Sequence, residues 1–158
     1  MRQLIIGQDF YRKEHKDHFN DAVAVNTLFI RAMTFIDKYF TLPKTMSIIL
    51  KPMNGVHGYW LENIKTMYID PRLGSKNRNL GIQLSCLIHE AAHAEQCYNG
   101  TLKFKEDGVY WCGKKYCTVI SDLSYEEYMN LPWEVDARLK QDSFVELLAQ
   151  DIIEHSKK

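Results

Sequence analysis

The sequence predicts an α+β fold on three observations. Apolar residues recur at helical spacing over three long stretches. Short segments rich in β-branched and aromatic residues fall between those stretches. Glycine and proline punctuate the passages from one to the next. At 158 residues the chain has the length of a single domain, large enough to bury a core without disulfides or metal to hold it. One domain spanning residues 1–158 is therefore expected, with no internal repeat, low-complexity tract or linker.

An N-terminal packing helix is expected from about His18 to Phe40, where Phe19, Ala22, Val25, Phe29, Ala32, Ile36 and Tyr39 share a stripe and Leu42-Pro43 ends the run. Thr45 to Leu50 reads as a strand, Pro52-Met53-Asn54-Gly55 as a turn, and His57 to Leu61 and Thr66 to Asp70 as two further strands, together a small mixed or antiparallel sheet. Pro71-Arg72-Leu73-Gly74-Ser75 leads into a second helix, which begins near Arg78 or Asn79 and stops at Asn99-Gly100. Val109 to Ile120 has the composition of a β-hairpin around a glycine; with Gly113-Lys114 as its two-residue turn, Trp111 would face Tyr116. After Ser124 the chain turns helical. Pro132 suits the first turn of a C-terminal helix running to about Glu154, whose stripe of Val135, Leu139, Phe144, Leu147, Leu148 and Ile152 is expected to pack on the other helices. The terminal Ser156-Lys157-Lys158 is expected to fray.

Composition narrows the function classes. Twenty basic residues balance twenty acidic ones and no basic cluster stands out, so nucleic acid is not expected as a partner. The opening Met1 to Asp9 has too short an apolar run for a signal peptide, and no run approaches a membrane span, so a cytoplasmic, membrane-free protein is expected. Cys86, Cys97, Cys112 and Cys117 lack the C-x-x-C spacing of a zinc ribbon and are expected to be free thiols; Cys112 and Cys117 would pair only under oxidising conditions.

The chemistry concentrates in His89-Glu90-Ala91-Ala92-His93, an HExxH pattern. Two histidines four apart on a helix point the same way and can grip one metal ion, and the glutamate beside the first of them can reach a water without itself filling a coordination position. The alternative is an amphipathic helix whose two histidines are merely hydrogen-bonded at the core boundary. Apolar Leu80, Leu84, Leu87 and Ile88, with the small Ala91 and Ala92, give the pattern a packed helical context. Cys86 and Cys97 lie on the same stripe and offer soft ligands, although small core thiols are the commoner outcome.

A catalytic zinc ion takes three protein ligands, so a third must be found. Gln96 and Asn99 stand where a metzincin continuation needs glycine and histidine, which excludes that class. The one later histidine, His155, sits at the chain's end, so the third ligand is expected to be a carboxylate. Among Glu95, Glu106, Asp107, Asp122, Glu126, Glu127, Glu134 and Asp136, Glu134 stands out because Pro132 and Trp133 give it a rigid mount at a helix start. A carboxylate in that first turn is also favoured simply by the helix dipole.

With HExxH on one helix, then a hairpin, then Trp133-Glu134-Val135-Asp136-Ala137 opening the next helix, the chain resembles the compact gluzincin zinc metallopeptidases, including the minigluzincins and small phage-encoded or prokaryotic metallopeptidase-like proteins. The resemblance covers about residues 45 to 140. It implies a zincin-like fold, one catalytic Zn2+ ion held by His89, His93 and Glu134, and Glu90 as general base in peptide hydrolysis, with a peptide or protein as substrate. One position departs: larger gluzincins place an aspartate four residues after the glutamate ligand, and this chain has Arg138. Either Asp136 takes over that buttressing role, or Arg138 holds Glu134 itself. Thr66 to Asp70 reads equally as an ordinary strand or as an edge strand that aligns a peptide. Tyr125, Tyr128, His57 and Arg72 are further candidates for stabilising the transition state. The alternative function is a catalytically idle zinc-binding interaction, regulatory or phage structural protein on the same fold.

Overall fold

A computed structural model describes residues 3–6, 31–51, 53, 58–70 and 80–156. The expectations for residues 18–30, for the turn around Asn54-Gly55, for His57, for the Pro71 to Ser75 passage and for Lys157-Lys158 lie outside the described residues.

The architecture is α+β, with two small sheets and helices packed against them. Strand β1 (Gln3–Ile6) was not anticipated; it is followed by helix α1, described over residues 31–39, and by β2 (Ser47–Leu50), β3 (Gly58–Leu61) and β4 (Thr66–Ile69). Helix α2 (Leu80–Tyr98) carries HExxH, and strands β5 (Leu102–Lys105), β6 (Gly108–Trp111) and β7 (Lys114–Cys117) follow it. A short helix α3 (Tyr125–Met129) leads into the C-terminal helix α4 (Pro132–Ser156). No described helix is long and apolar enough to cross a membrane.

The first sheet is mixed, in the order β1-β2-β4-β3, with β1 and β4 parallel to β2 and β3 antiparallel to β4. Its pleat puts Ile48 and Leu50 on one face beside Met67 and Ile69, all buried, while Ile49 and Tyr68 face the other way. That buried face joins Ala32 and Ile36 from α1, Phe40 just past it, Leu84, Leu87, Ile88 and Ala91 from α2, and Ala137, Leu148 and Ile152 from α4 in the main core. Gly58 and Trp60 lie on the same face of β3, and here α2 comes very close. A Cβ on Gly58 would sit 2.8 Å from both the Cys86 sulfur and the Tyr68 carbonyl oxygen.

The second sheet is a meander, β5-β6-β7, whose inner residues Leu102 and Val109 form a separate cluster with Leu131 and Trp133. Its β6-β7 turn is Cys112-Gly113 and not Gly113-Lys114. A type I′ hairpin turn needs two consecutive residues at positive φ, and these two have φ of 51° and 82°. Trp111 therefore pairs with Lys114, and Tyr116 turns to meet Trp133 edge-on, with ring centroids 6.2 Å apart.

Ser124 starts α3 with a reciprocal cap: its hydroxyl accepts from the Glu127 N–H, and the Glu127 carboxylate accepts from the Ser124 N–H. In α4 the buried face differs from the expected stripe. Val135, Leu139 and Leu147 are exposed, whereas Trp133, Glu134, Ala137, Leu148 and Ile152 are buried with Phe144 and Val145 packed beside them. The inward face therefore starts at Glu134.

Gly58→Ala should lower the unfolding free energy by about 1–3 kcal/mol, because overpacked sites relax only by shifting neighbours. The readout is a lower urea midpoint at an unchanged m-value; a wild-type midpoint would mean that β3 is not pressed against α2.

Candidate metal centre

His89 and His93 lie one turn apart on α2 and turn their rings edge to face, so that their Nε2 atoms are 3.1 Å apart. Glu134 arrives from the first turn of α4. Its Oε2 is 3.2 Å from His89 Nε2, and its Oε1 is 3.2 Å from His93 Nε2. The three residues each offer a ligand atom within 4.8 Å of the others, so the group could hold a metal ion. Two of them come from one helix by local spacing. The third depends on α2 packing against α4, where fully buried Ala91, Ala92 and Ala137 leave room for the helices to approach.

The imidazole orientations are imposed from outside the group. Gln96, almost fully buried one turn beyond His93, donates its Nε2 hydrogens to the Trp133 carbonyl at 3.0 Å and the Asp136 carboxylate at 2.8 Å. Both acceptors demand the amide nitrogen on that side, which leaves the amide oxygen facing His93 Nδ1 at 2.9 Å. The neutral His93 ring then donates its Nδ1–H to Gln96 and presents a lone pair on Nε2. His89 Nδ1 is likewise 3.2 Å from the amide oxygen of Gln141, two turns after Glu134 on the same face of α4. Such partners fix ring orientation and raise ligand basicity.

Glu134 is buried and is further held by the Tyr128 hydroxyl, which donates to its Oε1 at 2.7 Å. Burial acts to raise the Glu134 carboxyl, but the two histidines and Tyr128 outweigh it and hold the group well below the usual carboxylate range. Burial and the neighbouring carboxylate push the Tyr128 phenol up. Burial alone would lower His93, yet its contacts with Glu134 and Glu90 raise it. The Glu90 carboxyl, only 6% exposed, is raised by burial against the opposing pull of both imidazoles, and it accepts a hydrogen bond from the Trp60 backbone N–H.

Trp133 sets the position of Glu134. It is 2% exposed, with the rings of Trp111 and Tyr116 against it, so the start of α4 is clamped on the second sheet. The Leu131 carbonyl accepts from the backbone N–H groups of Glu134 and Val135, each at 3.0 Å, which closes the first turn.

The structure settles the roles left open at Asp136 and Arg138. Arg138 does not hold Glu134; its guanidinium donates to the Met129 carbonyl and sulfur. Asp136 buttresses a histidine at one remove, through Gln96. Thr66 to Ile69 is not an edge strand, because β4 is paired on both sides by β2 and β3; the edge beside the site is β3. Tyr128 reaches the site, Tyr125 is 79% exposed, and His57, Arg72 and the His155 side chain lie outside the described residues. Cys86 and Cys97 are free thiols outside the ligand group, as are Cys112 and Cys117. Sequence reading missed Gln96 and Gln141 as site residues, although each falls at helical spacing from a ligand. Searches against protein-family models, curated proteins and solved structures give no match to the chain.

Gln96→Leu is expected to weaken metal binding about 10- to 100-fold, the usual effect of removing a ligand's hydrogen-bond partner. Competition against a chromophoric chelator measures this, and wild-type affinity would remove Gln96 from the site. Thiol labelling at pH 8 should modify exposed Cys112 well before Cys86 and Cys97. Burial raises both of those thiols, Cys97 up to about 12, and thus withholds the thiolate.

Proposed function

We propose that the protein is a zinc-dependent metallopeptidase of gluzincin type, with a zincin-like arrangement of edge strand, HExxH helix and glutamate-bearing helix. The observation that carries the reading is the convergence of His89, His93 and Glu134 beside a buried, non-ligand Glu90. Two imidazoles and one carboxylate form a common ligand set for catalytic zinc and leave a coordination position open. The two imidazole nitrogens are 3.1 Å apart and each has one Glu134 oxygen at 3.2 Å, Oε2 beside His89 and Oε1 beside His93, so the donor atoms lie within reach of a single ion.

Zinc, when bound, supplies a Lewis acid that polarises a carbonyl and acidifies an adjacent water. The chain's own groups supply the rest. Glu90 takes the proton from the attacking water and delivers it to the leaving amine, a task that suits a carboxyl raised by burial. Gln96 and Gln141 keep the imidazole Nε2 atoms aimed inward. Tyr128 neutralises part of the Glu134 charge through its hydrogen bond and stands at the cavity wall, where a developing oxyanion would find a donor. The edge of β3 has no strand on its outer side among the described residues, so an extended peptide can add to it by backbone hydrogen bonds.

The purified protein should carry about one zinc ion per chain, lost in His93→Ala and retained in Glu90→Gln. Cleavage of an unbiased peptide library should fall at least about a hundredfold in Glu90→Gln. Zinc retained by His93→Ala would remove that residue from the ligand set. A zinc-loaded wild type that cuts nothing would leave a metal-binding interaction protein in place of an enzyme.

A further inference from the structure

Two cavities open on the ligand group, and their walls differ in chemistry. The smaller, about 170 Å³, is walled by Trp60, Leu102, Phe104, Ile120 and Trp133, a lining suited to an apolar side chain. The larger, about 460 Å³, begins at His89, Glu90 and Glu134 and continues past Cys86 and Met129 to Arg138. Among the described residues, Arg138 is the one lysine or arginine in its wall.

Arg138 is placed and oriented for this cavity. It lies four residues after Glu134 on α4, one turn along the same face and roughly 6 Å further along the axis. Its guanidinium is pinned to the end of α3 by hydrogen bonds to the Met129 carbonyl and sulfur. A guanidinium has five N–H donors in a planar fork, so donors remain beyond those two bonds. Among the described residues no carboxylate lies within ion-pair distance of it. Glu134, one turn before it on α4, is already engaged by two histidines and Tyr128. Past Glu90 and Glu134, at the far end of this cavity, a cationic side chain would meet a fixed positive charge, and an apolar one would cover a half-buried guanidinium without pairing it. A carboxylate satisfies the remaining fork bidentately.

We infer that Arg138 makes the larger cavity a carboxylate-recognition subsite, so that the preferred substrate carries a carboxylate on one side of the cleaved bond and a bulky apolar residue on the other. The inference rests on the peptidase reading for the cleaved bond, but not for the binding itself. A peptide can offer the carboxylate as an aspartate or glutamate side chain or as its free C-terminus.

Three probes separate these sources: acetyl-Phe-Glu-amide, acetyl-Phe-Gly with a free carboxyl terminus, and acetyl-Phe-Gln-amide, which has neither carboxylate. They are titrated by NMR into Glu90→Gln protein, with and without added zinc, so that no cleavage intervenes. At least one carboxylate probe should bind roughly tenfold or more tightly than the glutamine probe, the scale of a hydrogen-bonded charge; which one does identifies the source. Arg138→Ala should level the three, and Arg138→Lys, which keeps the charge without the fork, should retain part of the preference. Equal affinity of all three probes for the parent protein overturns the inference, even if Arg138→Ala proves unfolded. Carboxylate preference without any cleavage by zinc-loaded wild type would leave the subsite standing and remove the peptidase reading.

Discussion

The structure is organised around three electron-pair donors held close together. Two imidazole Nε2 atoms and a carboxylate lie 3.1–3.2 Å apart, and Glu134 is only 4% exposed. Lone pairs at that separation repel unless a proton or a metal cation sits among them. One proton can bridge only one of these contacts at a time. The Gln96 amide restricts matters further, since it occupies the His93 Nδ1–H and leaves Nε2 without its own hydrogen in the neutral ring. A cation at the centre would satisfy all three donors at once, and its binding energy would then be coupled to folding.

Holding such a group requires stiffness from elements remote in sequence, and the hydrogen bonds show where it comes from. Gln96 on α2 bonds to Trp133 and Asp136 on α4; Asp136 meets Lys140 at 3.2 Å; Lys140 meets Glu95 back on α2 at 3.0 Å. The other Glu95 oxygen accepts from the Thr41 backbone N–H just past α1. This closed circuit ties α2 to α4, and none of its side chains lines the larger cavity. Trp133 meanwhile belongs to the second hydrophobic cluster, whereas Leu87 and Ile88 of α2 belong to the first. The ligand group therefore straddles the junction of two cores, and neither could place it alone.

What the sequence disclosed and what it concealed follow from the range of the interactions involved. The His89 and His93 pair is local, fixed by helical periodicity, and Glu134 could be singled out because Pro132 and Trp133 mark a helix start. The inward face of α4 was misread because two of its positions are polar for a reason. Glu134 and Gln141 face inward to serve the histidines, while Val135 and Leu139 lie outside, so an apolar stripe pointed to the wrong side. Strand β1 escaped notice because its partner β2 lies some forty residues away, and β5 because only Leu102 of its four residues is buried. The hairpin register turned on which residue joins Gly113 at positive φ, and cysteine has no strong preference that would announce it.

The edge strand shows how one small residue connects fold to chemistry. Gly58 faces α2, and without a side chain there the strand settles against Cys86 on that helix. One turn further along α2 the same approach brings Glu90 within hydrogen-bonding reach of the Trp60 backbone N–H. The carboxylate proposed as the base is thus oriented by the strand proposed to align the substrate. A peptide adding to β3 would bear on the strand that holds Glu90, so seating of the substrate and aim of the base share one element. In the proposed reading the peptide-aligning edge is therefore β3. β4 lies between β2 and β3 with both edges used, and only an outer strand can touch the helix, the base and an incoming peptide at the same time.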